Sequence, residues 1–165
     1  MKNHKNQISL VPLSIALAVA SLALIPVLPG SEAADPKPFE VRTTAYTHTE
    51  RDHLQYGKKT AAGTTLVSGK VNSAAADWSF LPLGTTFKIR GDATIYKVED
   101  YGGALVGTRT VDIYRPCMKT MNQWGVRFVK IEILELGCRL KSIELLRGRT
   151  HASHCRRMLK RLLSQ

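Results

Sequence analysis

The chain has 165 residues, with 24 Lys or Arg against 13 Asp or Glu and a formal net charge of +11. This length accommodates one domain with a modest core and leaves little room for a second. The positive excess points to an anionic partner (nucleic acid, acidic lipid headgroups or an anionic polysaccharide) and by itself does not choose among them.

Lys2 and Lys5 precede an apolar run from Ile8 to Leu28, followed by "PGSEAAD", where Ser31 and Ala33 have the small-residue spacing of a signal-peptidase site. Residues 1–33 therefore read as a signal peptide or, because the run approaches the ~20 residues that span a bilayer, as an N-terminal anchor. Pro12, Pro26, Pro29 and the small residues favour cleavage, after Ala33 or Ala34. No Cys stands at the cleavage site to take a lipid. On either reading the remainder is exported, to the periplasm, the cell envelope or the extracellular space. Export argues against nucleic acid as the partner and for a cell-wall or surface polymer.

Residues 34–41 form a linker, "DPKPF", and the entry to a first strand. From Phe39 to Thr47 the side chains alternate, with Phe39, Val41, Thr43 and Ala45 on one face and Glu40, Arg42, Thr44 and Tyr46 on the other, as in a half-buried strand. Residues 48–70 are polar and punctuated by Gly, which predicts a long loop at the rim of a site. Within it His48, Glu50, Asp52 and His53 cluster without an established metal-ligand spacing and read as a solvated rim.

Short strand patterns then recur: "KVNSAAA", "TTFKIR", "TIYKVED", "TRTVDIY" and "VRFVKIEIL", separated by glycines. Such a series predicts a mainly β barrel or sandwich. One helix interrupts it, with Pro116 at its first position, Cys117, Met121 and Trp124 as a core-packing stripe, and Gly125 as its stop. After Gly137 the segment 138–165 carries eight Lys or Arg against one Glu. Its Cys155, Met158, Leu159, Leu162 and Leu163 form a helical stripe, preceded by a helix that breaks at Gly148. This basic tail fits a helix packed on the domain, and it equally fits attachment to an anionic membrane or wall polymer. Cys117, Cys138 and Cys155 lack a CxxC spacing; a bridge between Cys138 and Cys155 and free thiols are both open.

In "TVDIY" the alternation turns Asp112 away from Val111 and Ile113, out of the core or into a cleft. Asp100 closes the preceding strand, and Gly102 and Gly103 after it permit a sharp turn or close approach to a ligand. Asp77 follows the small residues of "NSAAADW". Carboxylates sharing a low-dielectric cleft hold one of their number protonated near neutral pH, as donation to a glycosidic oxygen requires. The alternative is that Asp77 and Asp100 cap turns.

The series "TTAYTHTERD", "TAAG", "NSAAADWSFLPLGTTFKI", "VEDYGGALVGTRTVDIY" and "WGVRFVKIEIL" resembles the three-aspartate (3D) domain of cell-wall proteins. That domain is similar to the catalytic part of membrane-bound lytic murein transglycosylase A. The resemblance implies a six-stranded double-psi β-barrel over residues 42–137, to which the residue patterns add one or two short helices and the basic C-terminal helix. It matches Asp77, Asp100 and Asp112 to the name-giving aspartates and Asp100 to the catalytic acid. Tyr101 stands where the family usually has Thr or Val.

The activity so implied is lytic transglycosylation of peptidoglycan or a related polysaccharide, with no metal or organic cofactor. Asp100 serves as general acid and then base, and Asp77 and Asp112 support it. Tyr46, Trp78, Tyr101, Gly102 and Gly103 are the candidate sugar contacts, Trp78 being equally suited to the core. The competing readings are a hydrolase using Asp100 and Asp112, and a polysaccharide-binding barrel without catalysis.

Overall fold

The computed structural model describes residues 37–51 and 53–165; the expected signal or anchor segment and Asp52 lie outside them. Among the described residues no helix is long and apolar enough to cross a membrane.

Six strands form where β-branched and aromatic residues alternate with polar ones: β1 Phe39–Tyr46, β2 Val71–Ala76, β3 Thr86–Ile89, β4 Ile95–Asp100, β5 Thr110–Tyr114 and β6 Arg127–Glu135. They close into a barrel in the order β1-β5-β2-β4-β3-β6. β1 runs parallel to β5 and β2 parallel to β4, while the other neighbours are antiparallel. This is the mainly β, six-stranded barrel expected, and its mixed pairing is compatible with the double-psi arrangement.

Inward-facing Val41, Phe87, Tyr96, Val98, Val111, Ile113 and Ile131 fill the core. Phe87 and Tyr96, directly opposite each other in the β3/β4 ladder, stack with ring centroids 5.3 Å apart.

Three helices accompany the barrel: α1 Met118–Trp124, α2 Arg139–Arg147 and α3 Ser153–Ser164. α1 ends at Gly125 as expected, but it starts at Met118 with Cys117 as N-cap, and none of its residues is buried. Of the Cys117, Met121 and Trp124 stripe only Trp124 packs against the main core, and it is half-buried there. The strands already fill the barrel interior, so α1 packs outside, against β1. Trp124 lies half-buried between the guanidinium groups of Arg115 and Arg127, 4.5 and 4.3 Å from its ring centroid.

The tail breaks at Gly148, as the pattern predicts, and packs on the domain. Ile143 and Leu146 of α2 and Cys155, Met158 and Leu162 of α3 join the main core, while Leu163 stays exposed. Arg139 donates to the Leu162 carbonyl and ties the two helices together. All three cysteines are free, with Cys155 buried and Cys138 exposed, so no bridge joins them.

Candidate active site

β2 is the strand on which the site is built. Its run "SAAA" is buried and carries almost no side-chain volume, so its two neighbours can bring larger groups together above it. Ala74 and Ala76 belong to the main core, whereas Ala75 joins a smaller cluster with Tyr46, Leu66, Leu105 and Tyr114. The main-core positions face inward, and Ala75 faces a cleft of about 790 Å³.

The parallel ladder to β4 pairs Ala74 with Val98 and then skips a residue, pairing Ala75 with Asp100. Regular pairing would set Glu99 opposite Ala75 and Asp100 opposite the core residue Ala76. The bulge at Glu99 instead turns Asp100 onto the cleft side, a re-aiming that bulges commonly perform beside active sites. Glu99 is satisfied below the cleft by Lys97 at 3.0 Å and the Ser73 hydroxyl at 3.2 Å.

On the other flank, the antiparallel ladder to β5 sets Asp112 opposite the same Ala75, and β1 sets Thr44 beside Asp112. The Thr44 hydroxyl donates to Asp112 Oδ1 at 2.7 Å. Asp100 and Asp112 thus stand one strand apart on either side of an alanine, and both line the cleft.

The loop after β1 folds over this floor. A turn closed by the Thr60 and Thr64 hydroxyls, 2.8 Å apart, presents the Ala61 N–H to Asp100 Oδ1 at 3.0 Å. Oδ1 also accepts from the N–H of Tyr101 at 2.9 Å. Oδ2 receives the Tyr46 hydroxyl at 3.5 Å and has His53 Nε2 3.7 Å away. His53 Nδ1 is buried with no hydrogen-bond partner among the described residues.

Burial pushes the Asp100 carboxyl above its ordinary value, against the opposing pull of the Tyr101 and Ala61 amides and of His53. Asp112 is pushed up to about 6, again chiefly by burial, with Glu50 and Asp100 adding to the rise and Thr44 and Arg42 opposing it. Tyr46 is held well above its ordinary value by burial and by the two aspartates, so it remains a donor at neutral pH. The site is therefore a pair of carboxyls, both raised above their ordinary value, with a phenol and an imidazole at the edge.

Residues 72–135 match the family model of the 3D domain. The chain carries a 3D domain. The match contains Asp77, Asp100 and Asp112 and is consistent with a cell-wall-related enzyme domain. No curated protein matches the chain. β1, which precedes the matched segment of the 3D domain, is paired along its length with β5 and β6 and completes the barrel.

The three aspartates of this 3D domain do not share one cleft. Asp77 is buried beneath the turn that follows β2. Its Oδ1 accepts from the Ser79 N–H at 2.8 Å and hydroxyl at 2.6 Å, and its Oδ2 from the Gly107 N–H at 2.8 Å and Arg161 at 3.1 Å. The turn-capping alternative describes Asp77, and its place in the fold is that of a junction between two turns and α3.

Among the candidate sugar contacts, Trp78 is fully buried and donates through Nε1 to the Asp100 carbonyl at 3.0 Å, so the core alternative holds for it. Tyr46, Tyr101, Gly102 and Gly103 line the cleft. Tyr101 packs edge-on against Trp78 with centroids 4.9 Å apart, and its hydroxyl meets Arg149 and Cys155.

His53 and Glu50, expected to lie on a solvated rim, line the cleft instead. Asp52 is outside the described residues. Nothing local to "HTERDHL" marks this position, because the loop's path over Asp100 is set by long-range hydrogen bonds from Ala61 and Ala62 to β4. Among the described residues no group of three His, Cys, Asp or Glu side chains is arranged to hold a metal ion.

Proposed function

We propose that this protein is an exported lytic murein transglycosylase with Asp100 as its single general acid and base. The observation that carries this reading is the asymmetric environment of the Asp100 carboxyl. Oδ1 already accepts two backbone N–H groups, which disfavours a proton there. Burial favours the neutral acid, and the proton then belongs on Oδ2, beside Tyr46 and His53.

In the reaction, Oδ2–H donates to the oxygen linking N-acetylmuramic acid to N-acetylglucosamine. The bond from that oxygen to the muramyl C1 breaks, and positive charge develops at C1. The muramyl C6 hydroxyl attacks C1 to form the 1,6-anhydro ring, and its proton passes to the Asp100 carboxylate, which restores the acid. Asp112, across Ala75, supplies negative charge that stabilises the cationic centre. Tyr46 and His53 are placed to donate toward the Asp100 carboxylate while it is ionised, which makes them positioning residues.

A hydrolase reading has one observation in its favour: Asp112 is a second carboxyl on the same cleft, and its titration near 6 suits a base that activates water. Mass spectrometry of the soluble products from purified peptidoglycan separates the two. Anhydro-muropeptides are expected, and reducing-end products one water heavier would assign hydrolysis. Asp100→Asn is expected to lower product release by about 10²–10⁴-fold. Retained cleavage by that variant would overturn the assignment of Asp100, and no products from the unaltered protein would leave a binding module.

A further inference from the structure

The extension that follows Gly137 lies outside the matched segment 72–135, yet it supplies one wall of the cleft. The connection between α2 and α3 brings Arg149, His151 and His154 to the same cavity as Asp100 and Asp112. Arg149 donates through Nη1 to the Tyr101 hydroxyl at 3.3 Å, with its guanidinium carbon 5.8 Å from that ring's centroid. Tyr101 directly follows Asp100, and the guanidinium and the proposed acid line the same cavity. No carboxylate among the described residues pairs with it. A planar guanidinium carries several N–H donors in a fork that fits a carboxylate, and only one of these is taken by Tyr101.

The cleft thus carries three carboxylates, Glu50, Asp100 and Asp112, and two cations, Lys59 of the loop after β1 and Arg149 of the extension. Breaking a bond between neutral sugars gives no reason for a cation on that wall that no carboxylate among the described residues pairs with. An acidic substituent carried by the glycan does. Burial, together with Arg157 and His151, holds His154 below its ordinary value.

We propose that Arg149 binds a carboxylate on the glycan substrate, so that the α2–α3 connection selects acidic glycans over neutral ones. This rests on the reading of the cleft as glycan-cleaving. The carboxylate has two possible sources, the lactyl group of a muramyl unit without its peptide or the peptide stem itself. The shared chemistry is charge-assisted, bidentate recognition.

The test measures binding calorimetrically in the full-length Asp100→Asn protein, with and without Arg149→Ala. Three probes are used: glycan strands with intact stems, the same strands stripped by an amidase to free lactyl carboxylates, and neutral chitotetraose. Arg149→Ala is expected to weaken carboxylate-bearing strands about tenfold and to leave chitotetraose unchanged. A loss confined to stripped strands assigns the lactyl group, and one confined to intact strands assigns the stem. Arg149→Gln, which keeps a donor for Tyr101, carries the same comparison if the alanine variant does not fold.

An equal effect on acidic and neutral probes, no effect on any, or no binding to any probe would overturn the proposal. Cleavage assays on the unaltered protein keep the two readings apart. Cleavage without carboxylate selectivity removes only the role of Arg149. Carboxylate-selective binding without cleavage removes only the catalytic reading.

Discussion

Asp100 and Asp112 flank Ala75, each pairing with it in register, one from β4 and the other from β5. Asp100 is buried and Asp112 half-buried on either side of that small residue, and both are pushed above their ordinary range. This shared elevation gives a signed prediction for stability. From the ordinary 3.8 to about 6, folded Asp112 holds a proton that the unfolded chain has released. Its stabilising contribution is present at low pH and is lost as pH rises through that window. Asp112→Asn, which still accepts from Thr44, is expected to stabilise the protein above pH 6 by at most about 3 kcal/mol. It is expected to change little near pH 4. Thermal unfolding of both proteins across pH 4–8 checks this, and a gap that widens toward low pH would contradict it.

Trp78 separates a structural from a substrate-binding role. It is fully buried, and its Nε1 satisfies the Asp100 carbonyl. Trp78→Phe leaves that carbonyl without its donor and is expected to cost about 1–3 kcal/mol in urea unfolding. Trp78→Ala is expected to cost about 3–5 kcal/mol. A sugar contact would instead give weakened substrate binding at undiminished stability.

Asp77 and Arg161 form an ion pair of unequal partners, because the Arg161 side chain is 50% exposed and that of Asp77 only 2%. Arg161→Ala is expected to cost less than about 1 kcal/mol. Asp77→Ala also strands the amides of Ser79 and Gly107 and is expected to cost about 3 kcal/mol. Since Asp77 is outside the cleft, the protein that still folds is expected to keep the pH profile of cleavage. Chemical denaturation and pH–rate curves of both variants test this division.

Gly137 is where the extension docks. Its N–H donates to the Thr85 hydroxyl at 3.0 Å, and the next amide, that of Cys138, donates to the Leu83 carbonyl at 2.9 Å. A Cβ here would overlap the Pro82 and Leu83 carbonyls and the Thr85 nitrogen. Gly137→Ala is expected to destabilise by about 1–3 kcal/mol. Hydrogen exchange should rise first in α2 and α3, and unchanged protection there would show that the junction does not hold the extension.

Much of the architecture is legible in the sequence. The five strand patterns after residue 70 and the alternation from Phe39 all became barrel strands, because period-two burial is a local property of the chain. The glycine stops at Gly125 and Gly148 are local for the same reason. The stripe of Cys117, Met121 and Trp124 reached the core only through Trp124, since spacing reports which residues share a face and says nothing of whether a filled barrel has room for them.

By itself the sequence determined the strands, the break in the tail, and Asp112 as the polar residue of an otherwise buried run. The tertiary structure alone decided which aspartates meet. One bulged residue, Glu99, turns Asp100 from the core to the cleft, while the turn after β2 draws Asp77 away to Gly107 and Arg161. Only the tertiary structure brought His53 and Arg149 to the same cavity. These placements depend on pairing across strands and on contacts between segments far apart in the chain, for which local periodicity carries no signal.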